Sequence, residues 1–294
     1  MESTTSFLEL EKICSNRVSV DASKSFLSDG SRIVFHGKNN VLFVENNVRI
    51  KKSIINFCGD NALVYLSASK QDYLLEIHAN SSTAVFIGEN CFINQKLTLV
   101  TSERQNIIIG GESLFSYGIC MRTADPHLVY DCATRERLNP SASVLLGDHI
   151  WIGQNALLLK GTTVGSGSII GANSVLAGKR IASNVSVAGN PARVLREGVF
   201  FSPLCVHSWL ADTTEKYRSY DSDEFIFTPT EQTADLRDID TLIKSTDSAE
   251  KKLEIVQERI ATNTSHDRFA IAPPPPPDPE PIKQGFFKRM FGKK

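Results

Sequence analysis

Residues 146–177 read LGDHIWIGQNALLLKGTTVGSGSIIGANSVLA, and an apolar side chain returns at every sixth position of this stretch. The residue after each of these positions is glycine or alanine, with one leucine as the exception. A second register, four residues after each apolar position, holds mostly small side chains. The apolar positions are Leu146, Ile152, Leu158, Val164, Ile170 and Leu176.

A period of six residues distinguishes a strand from a helix. At about 100° per residue, six residues rotate an α-helix by about 240° net, so the apolar positions would spread around all of its sides. In an extended strand the positions i, i+4 and i+6 all point to the same side. The regularly spaced glycines mark corners where a Cβ would obstruct the chain. The pattern predicts a hexapeptide parallel β-helix, in which three short sides close a coil of about 18 residues.

The same register continues upstream, at Ile87-Gly88 and Ile109-Gly110. Residues 32–66 alternate apolar and polar side chains between asparagine-rich turns, as expected of imperfect early coils. We therefore predict that the β-helix domain spans residues 31–198, after an N-terminal segment of residues 1–30.

Residues 122–143 interrupt the repeat, and most of this segment reads RTADPHLVYDCATRERLNPSA. Long segments without regular structure are uncommon inside compact domains and are usually functional. The sequence therefore predicts an extruded loop with a role in the chemistry.

Residues 199–262 are predicted to form a C-terminal extension with helical segments. Residues 233–260 carry two short apolar stripes, and Asp247 followed by Glu250 indicates the start of a second helix. These helices are expected to pack against the solenoid or between subunits.

The last segment, residues 263–294, begins with a proline-rich linker and ends in GFFKRMFGKK. Such a basic and aromatic tail is expected to bind an anionic membrane surface or a partner protein, or to be a disordered solubilising tail.

The composition excludes several classes of protein. The chain of 294 residues has 32 basic and 33 acidic side chains, so no overall field attracts nucleic acid. The first residues lack the apolar region of a signal peptide, and no stretch approaches the roughly 20 apolar residues that span a bilayer. The six cysteines show no metal-ligand spacing, so we expect reduced thiols, no metal site and a cytoplasmic location.

The repeat, Trp151 in GDHIWIG, the closing GNPAR of residues 189–193 and the upstream loop histidine together resemble the left-handed β-helix acyltransferases. The similarity is greatest to the O-acetyltransferases of galactosides, maltose and surface polysaccharides, and it covers residues 85–198. The resemblance implies a mainly β, left-handed parallel β-helix and a homotrimer with its site between subunits. It also implies acetyl-CoA as co-substrate.

The resemblance also implies a catalytic base. His127 lies 24 residues before Trp151 and 45 before Ala172, spacings similar to those of the sugar acetyltransferases. An imidazole titrates near pH 6.5, so at neutral pH it can accept a proton from a sugar hydroxyl. Either Asp125 or Asp131 could orient its ring. His149 is an alternative base, and a nucleophilic cysteine, Cys120 or Cys132, is an alternative mechanism.

The residues that would bind the two substrates also follow from the resemblance. Trp151 is expected in the cleft where the acyl arm meets the acceptor, or packed against a neighbouring subunit. A cation at Lys96 would suit an anionic acceptor, and Asp125 is a second candidate for contact with the acceptor. The residues expected along acetyl-CoA are Trp151, Ala172, Ala177, Lys179, Arg193 and Arg196, with the phosphate contacts uncertain by one residue because Ala177-Gly178 replaces the usual threonine-lysine.

These features predict an enzyme that transfers acetyl from acetyl-CoA to a sugar hydroxyl of a bacterial capsular or other surface polysaccharide. Its tail would bring it to the inner face of the membrane or to the capsule machinery. Two alternatives remain open at this stage. One is an N- or O-acyltransferase acting on a small acceptor such as an amino sugar nucleotide, serine or an oligosaccharide. The other is a non-catalytic polysaccharide-binding scaffold.

Overall fold

The structure is a computed structural model that describes residues 1–274, so the predicted basic and aromatic tail lies outside the described residues. Short strands dominate the first 197 residues, and helices follow. The strands are β1 (Glu2–Thr4), β2 (Arg17–Ser19), β3 (Phe26–Ser28), β4 (Arg32–Phe35), β5 (Val41–Val44), β6 (Arg49–Lys51), β7 (Ile54–Phe57), β8 (Leu63–Leu66), β9 (Asp72–Tyr73), β10 (Leu75–Ala79), β11 (Ala84–Ile87), β12 (Phe92–Ile93), β13 (Leu97–Thr101), β14 (Ile107–Ile109), β15 (Leu114–Phe115), β16 (Cys120–Arg122), β17 (Val144–Leu146), β18 (Trp151–Ile152), β19 (Leu157–Leu158), β20 (Thr163–Val164), β21 (Ile169–Ile170), β22 (Val175–Leu176), β23 (Arg180–Ile181), β24 (Val185–Gly189) and β25 (Ala192–Glu197). The α-helices are α1 (Ala211–Lys216), α2 (Leu236–Lys244) and α3 (Ala249–Val256); a 3₁₀ turn covers Leu10–Lys12 and a π-helical turn covers Gln257–Ala261.

The strands wind into a three-sided parallel solenoid, which confirms the predicted β-helix. Sheet 1 has the order β1-β4-β7-β10-β13-β16-β19-β22, and sheet 2 has the order β2-β5-β8-β11-β14-β17-β20-β23. The third side consists of β3-β6-β9 and then of β12-β15-β18-β21-β24-β25, which we call sheet 3. Each coil passes from sheet 2 to sheet 3, then to sheet 1 and back to sheet 2.

The interior of the solenoid is built by the two registers of the repeat. All six apolar positions from Leu146 to Leu176 are at most 1% exposed. The small side chains four residues later are buried as well, and some of them bond to the next coil: the Ser168 hydroxyl donates to the Ala182 carbonyl at 2.8 Å. The period of six therefore fills a continuous core and also satisfies polar groups inside it.

The glycine of each repeat lies at a corner where the next coil passes closely. A Cβ on Gly153 would lie 2.6 Å from the backbone nitrogen of Ala172. This distance is shorter than any normal contact of a Cβ, so the close stacking of neighbouring coils requires glycine at this corner.

The solenoid begins within the first 30 residues, earlier than the boundary at residue 31 that the repeat suggested. Strands β2 and β3 pair in parallel with β5 and β6, while β1 pairs antiparallel with β4. At the other end β25 pairs antiparallel with β24. The early coils lack the glycine repeat because asparagines with positive φ, such as Asn39 and Asn61, form several of their turns.

The outer face of sheet 2 is covered by the chain's own helices. Outward side chains of sheet 2, among them Tyr65 and Phe86, form a second apolar core with Leu236, Ile239 and Leu253 of α2 and α3. Of the two predicted placements of these helices, packing against the solenoid is the one observed. Helix α3 starts one residue later than expected, because the Ser248 side chain accepts the Lys251 N–H and caps it.

The segment after α3 returns to the solenoid at the corner between sheets 2 and 3. The Arg268 guanidinium donates two hydrogen bonds of 2.7 Å to the Asp148 carboxylate, and Phe269 is buried beside sheet 2. Within residues 1–274, no helix has the length and apolar character needed to cross a membrane.

Candidate active site

The extruded loop leaves the solenoid at the corner between sheets 1 and 2, after β16 and before β17. Asn139 organises its interior: its side-chain oxygen accepts the Val129 N–H at 2.8 Å, and its amide donates to the His127 carbonyl at 2.8 Å. The same amide donates to the Asp125 carboxylate at 2.9 Å. One buried asparagine thus ties together both arms of the loop around His127.

Two ion pairs fasten the loop to the coils below it. Lys160 donates to Asp125 at 2.6 Å, and this contact holds the pKa of the Asp125 carboxyl below its usual range. Arg137 makes two bonds of 2.9 Å to Glu103, which also accepts from the Ser141 hydroxyl. These bonds, the Arg137 pair foremost, lower the pKa of Glu103 to about 2. The loop is therefore a held structure at neutral pH.

The predicted base, His127, lies exposed on this held loop. Its backbone carbonyl is fixed by Asn139, and its imidazole makes no hydrogen bond within residues 1–274. Asp125 is engaged by Lys160 and Asn139. Asp131 accepts the N–H groups of Ala133 and Thr134 at 2.8 Å, which lowers its pKa. Both aspartates therefore shape the loop, and neither contacts the imidazole in the described part of the chain.

The alternative base, His149, is enclosed. Its ring stacks between Phe201 at 4.1 Å and Phe225 at 4.2 Å, measured between ring centroids, and only 3% of the residue is exposed. Its Nε2 lies 3.0 Å from the Phe201 carbonyl. Burial disfavours the charged imidazole and lowers the pKa of His149. This histidine therefore anchors the C-terminal extension, a role that the sequence could not show.

Trp151 lies on the outer face of sheet 3 and is 44% exposed. It belongs to an outward ladder of mostly apolar side chains across neighbouring strands. In register these are Phe92, Leu114, Trp151, Ile169 and Ser186. Phe201 approaches the indole from one side, with 5.9 Å between ring centroids. The tryptophan is thus presented on an apolar surface beside the C-terminal extension.

The remaining predicted residues are distributed over the corners of the prism. Ala177 and the half-buried Lys179 lie at the corner between sheets 1 and 2, which also carries the loop. Ala172 and Lys96 are exposed at the corner between sheets 3 and 1. Arg193 and Arg196 are exposed on β25 at the end of sheet 3.

One chain therefore brings His127 and Asp125 together with Ala177 and Lys179, while Trp151, Arg193 and Arg196 lie on another side. Lys160, which sequence reasoning missed, belongs to the first group through Asp125. Its pairing with a residue 35 positions earlier has no local sequence signal.

The alternative nucleophiles have no partner of the required type. Cys120 is half-buried in β16 and Cys132 is exposed on the loop; all six cysteines are free thiols. In residues 1–274, no cluster of three or more His, Cys, Asp or Glu side chains is arranged to hold a metal ion.

Comparison with known proteins identifies the family. Residues 143–178 match the family described as bacterial transferase hexapeptide (six repeats). The polysialic acid O-acetyltransferase of Neisseria meningitidis is 30% identical over 194 residues, which are 66% of this chain and 89% of that protein. The chain belongs to the hexapeptide-repeat O-acetyltransferases. The family resemblance inferred from the repeat and the predicted acetyltransferase activity are thereby confirmed.

Other relatives of this acetyltransferase agree with the assignment. The polysialic acid O-acetyltransferase of Escherichia coli O1:K1 / APEC is 29% identical over 127 residues, 43% of this chain and 41% of that protein. Among solved structures, the polySia-specific acetyltransferase NeuO is 23% identical with a TM-score of 0.56, covering 69% of this chain and 97% of that one. The polysialic acid O-acetyltransferase OatWY is 22% identical with a TM-score of 0.54, covering 70% and 97%. These two structures share the fold.

Proposed function

We propose that this acetyltransferase transfers the acetyl group of acetyl-CoA to a hydroxyl of a sialic-acid-containing capsular polysaccharide, with His127 as general base. The observation that carries the proposal is the exposed imidazole of His127 on a loop fastened to the solenoid by Asn139, Lys160 and Glu103. The names of the relatives, which act on polysialic acid, support this choice of acceptor.

The mechanism needs one base and no covalent intermediate. The neutral imidazole of His127 removes the proton of the acceptor hydroxyl while its oxygen attacks the thioester carbonyl. The tetrahedral oxyanion is stabilised by N–H donors, either backbone amides or the Trp151 indole. Collapse of this intermediate breaks the carbon–sulfur bond, and the imidazolium returns its proton to the leaving thiolate. An ester and free coenzyme A are the products.

A complete site requires a second subunit. His127 and Trp151 lie on different sides of one prism, and the apolar ladder containing Trp151 is uncovered over most of its length. A homotrimer in which the loop of one chain faces sheet 3 of its neighbour would join the two groups and bury the ladder. The loop offers apolar contacts of its own, because Leu128 and Leu138 are more than half exposed.

The residues at the last coils fit acetyl-CoA in chemical type. The exposed corners at Ala172 and Ala177 carry no bulky side chain, so their backbone groups are accessible to the amides of a pantetheine arm. Lys179, Arg193 and Arg196 supply cations for its phosphates. The acetyl-CoA groove would run along these coils at the subunit boundary.

The acceptor is expected to be anionic. Lys96 is exposed at the corner between sheets 3 and 1, where its ammonium group is available to a carboxylate of the acceptor. A polymer of sialic acid presents one carboxylate per residue. This fit distinguishes the proposed acceptor from a neutral galactoside.

The test is release of free coenzyme A thiol from acetyl-CoA in the presence of polysialic acid, a neutral polysaccharide and an amino sugar. We expect activity with the anionic polymer and a base-labile ester in the product. His127→Ala should abolish turnover, whereas His207→Ala, a change at another exposed histidine, should leave it intact. Retained turnover in His127→Ala would refute the assignment of the base, and a base-stable product would refute O-acetylation.

A further inference from the structure

The turn between β13 and β14 holds two different parts of the molecule with two consecutive charged residues. Glu103 and Arg104 both have positive φ, 50° and 61°. Glu103 binds Arg137 of the extruded loop, whereas Arg104 lies 3.0 Å from Asp247 in the connection between α2 and α3. The loop and the pair of helices on sheet 2 are therefore fastened to one turn.

A second and buried link joins the same two parts through Asp240 of α2. Its Oδ1 accepts hydrogen bonds of 2.8 Å from the Ser143 hydroxyl and from the Asn106 side-chain amide. Its Oδ2 lies 2.6 Å from Lys244 Nζ, and the residue is 4% exposed. Three donors thus surround a carboxylate in the apolar face of a helix.

Ser143 is the residue at which the loop rejoins the solenoid, directly before β17. Besides donating to Asp240, its hydroxyl accepts the Asn106 N–H at 2.9 Å. The Asn106 side chain in turn accepts the Ala84 N–H at 2.7 Å from the coil below. Asp240 therefore fixes the end of the loop against two coils of the solenoid.

Attachment of α2 to the sheet does not require this charge. Leu236, Ile239 and Ile243 surround Asp240 on the same helix face and are all buried in the second apolar core. A buried ion pair adds little to stability compared with an apolar side chain of similar volume. What the carboxylate adds is a fixed geometry between the helix and the loop.

We propose that Asp240 is a positioning residue for catalysis, which acts through Ser143 and Asn106 to set the loop that carries His127. This inference rests on the proposed function, because it takes His127 as the base. It assigns a role in the reaction to α2, which packs on the opposite side of the solenoid wall from the inner core. A small shift of a reacting group is enough to slow a reaction greatly.

The test compares Asp240→Asn and Asp240→Leu with Asp238→Asn, which makes the same change at an exposed position of α2. We expect both Asp240 variants to lower kcat about 10- to 100-fold, while KM for acetyl-CoA stays unchanged. Asp240→Leu should keep the thermal stability of the wild type, because leucine fits the apolar face. Asp238→Asn should behave as the wild type. A wild-type kcat in Asp240→Leu would overturn the proposal.

A second measurement is independent of turnover. Hydrogen exchange of the amides of residues 123–143, read by mass spectrometry, should be faster in both Asp240 variants and unchanged in Asp238→Asn. Unchanged exchange in the Asp240 variants would overturn the positioning role. Retained activity in His127→Ala would instead overturn the proposed base, so failures of the two proposals are distinguishable.

Discussion

Asp148 and Arg268 form a paired contact between residues 120 positions apart, with two hydrogen bonds of 2.7 Å between carboxylate and guanidinium. Only 13% and 10% of the two side chains are exposed. Asp148 also accepts the Gly111 N–H at 2.7 Å, and Arg268 donates to the carbonyls of Ile260 and Asn263. The pair therefore connects two coils to the end of the helical segment.

Removal of the Asp148 charge should detach this connection. We expect Asp148→Asn to lower the free energy of unfolding by about 3 kcal/mol, because a buried guanidinium loses its counter-charge. Urea denaturation would measure the loss. The matched control is Glu258→Gln, whose ion pair with Arg259 is more than half exposed, and it should cost less than about 1 kcal/mol. Equal effects of the two variants would contradict the assigned role.

Lys252 should destabilise the folded protein. Its ammonium group is fully buried, has no hydrogen-bond partner in the described residues, and burial lowers its pKa to about 8 from the usual 10.5. Because the unfolded chain binds the proton more tightly, stability should fall as the pH drops from about 10.5 to about 8, and the cost is complete below that range. The shift corresponds to about 3 kcal/mol.

Lys252→Met should therefore raise the free energy of unfolding at neutral pH by up to that amount and remove the dependence between pH 8 and 10.5. Thermal and urea denaturation at several pH values would measure both effects. Lys251→Met, which changes the exposed neighbouring lysine, serves as the control. A methionine variant no more stable than this control would show that the amine carries no penalty.

His149 should make the protein less stable in weak acid. Its lowered pKa means that the folded state resists a proton that the unfolded chain accepts, so stability falls as the pH drops through the ordinary histidine value of 6.5. His149→Asn should weaken this decline, and asparagine tolerates the positive φ of 53° at this position. The comparison is urea unfolding of both proteins above and below that pH. Parallel curves for the two proteins would refute the prediction.

Gly153 should be irreplaceable at its corner. We expect Gly153→Ala to cost about 3 kcal/mol, the upper end for overpacking, because the atom in the way is backbone. Gly178→Ala is the comparison: that glycine has a φ of +59° but no atom within 4 Å of an added Cβ. It should cost only about 1 kcal/mol from backbone strain. Thermal denaturation would rank the two variants, and a larger loss at Gly178 would be the contrary result.

The solenoid was predictable from sequence because its rule is local. Leu146 and Ile152 are six residues apart and meet the same interior, so one short stretch defines the coil. The first coils were harder to recognise, since turns such as the one at Asn39 replace the glycine corner. The cover on sheet 2 could not be assigned, because an apolar stripe on α2 fits its own chain and another subunit equally well.

The candidate site was predictable only in part, for a similar reason. The loop and His127 follow from the interruption of the repeat. The contacts that hold the loop join residues far apart in sequence, such as Asp125 with Lys160 and Glu103 with Arg137. His149 faces outward from its coil, as the alternation of side chains predicts, yet Phe201 and Phe225 enclose it from more than 50 residues away.

Each end of the solenoid carries a strand of reversed direction, β1 on β4 and β25 on β24. An open stack of parallel coils offers its terminal backbone groups to any further strand, which is how such shapes grow into fibres. Here, on one side at each end, an arriving copy would meet a strand running the wrong way for continuing the winding. The prism is thus terminated from within, and new coils could extend it only by insertion into its middle.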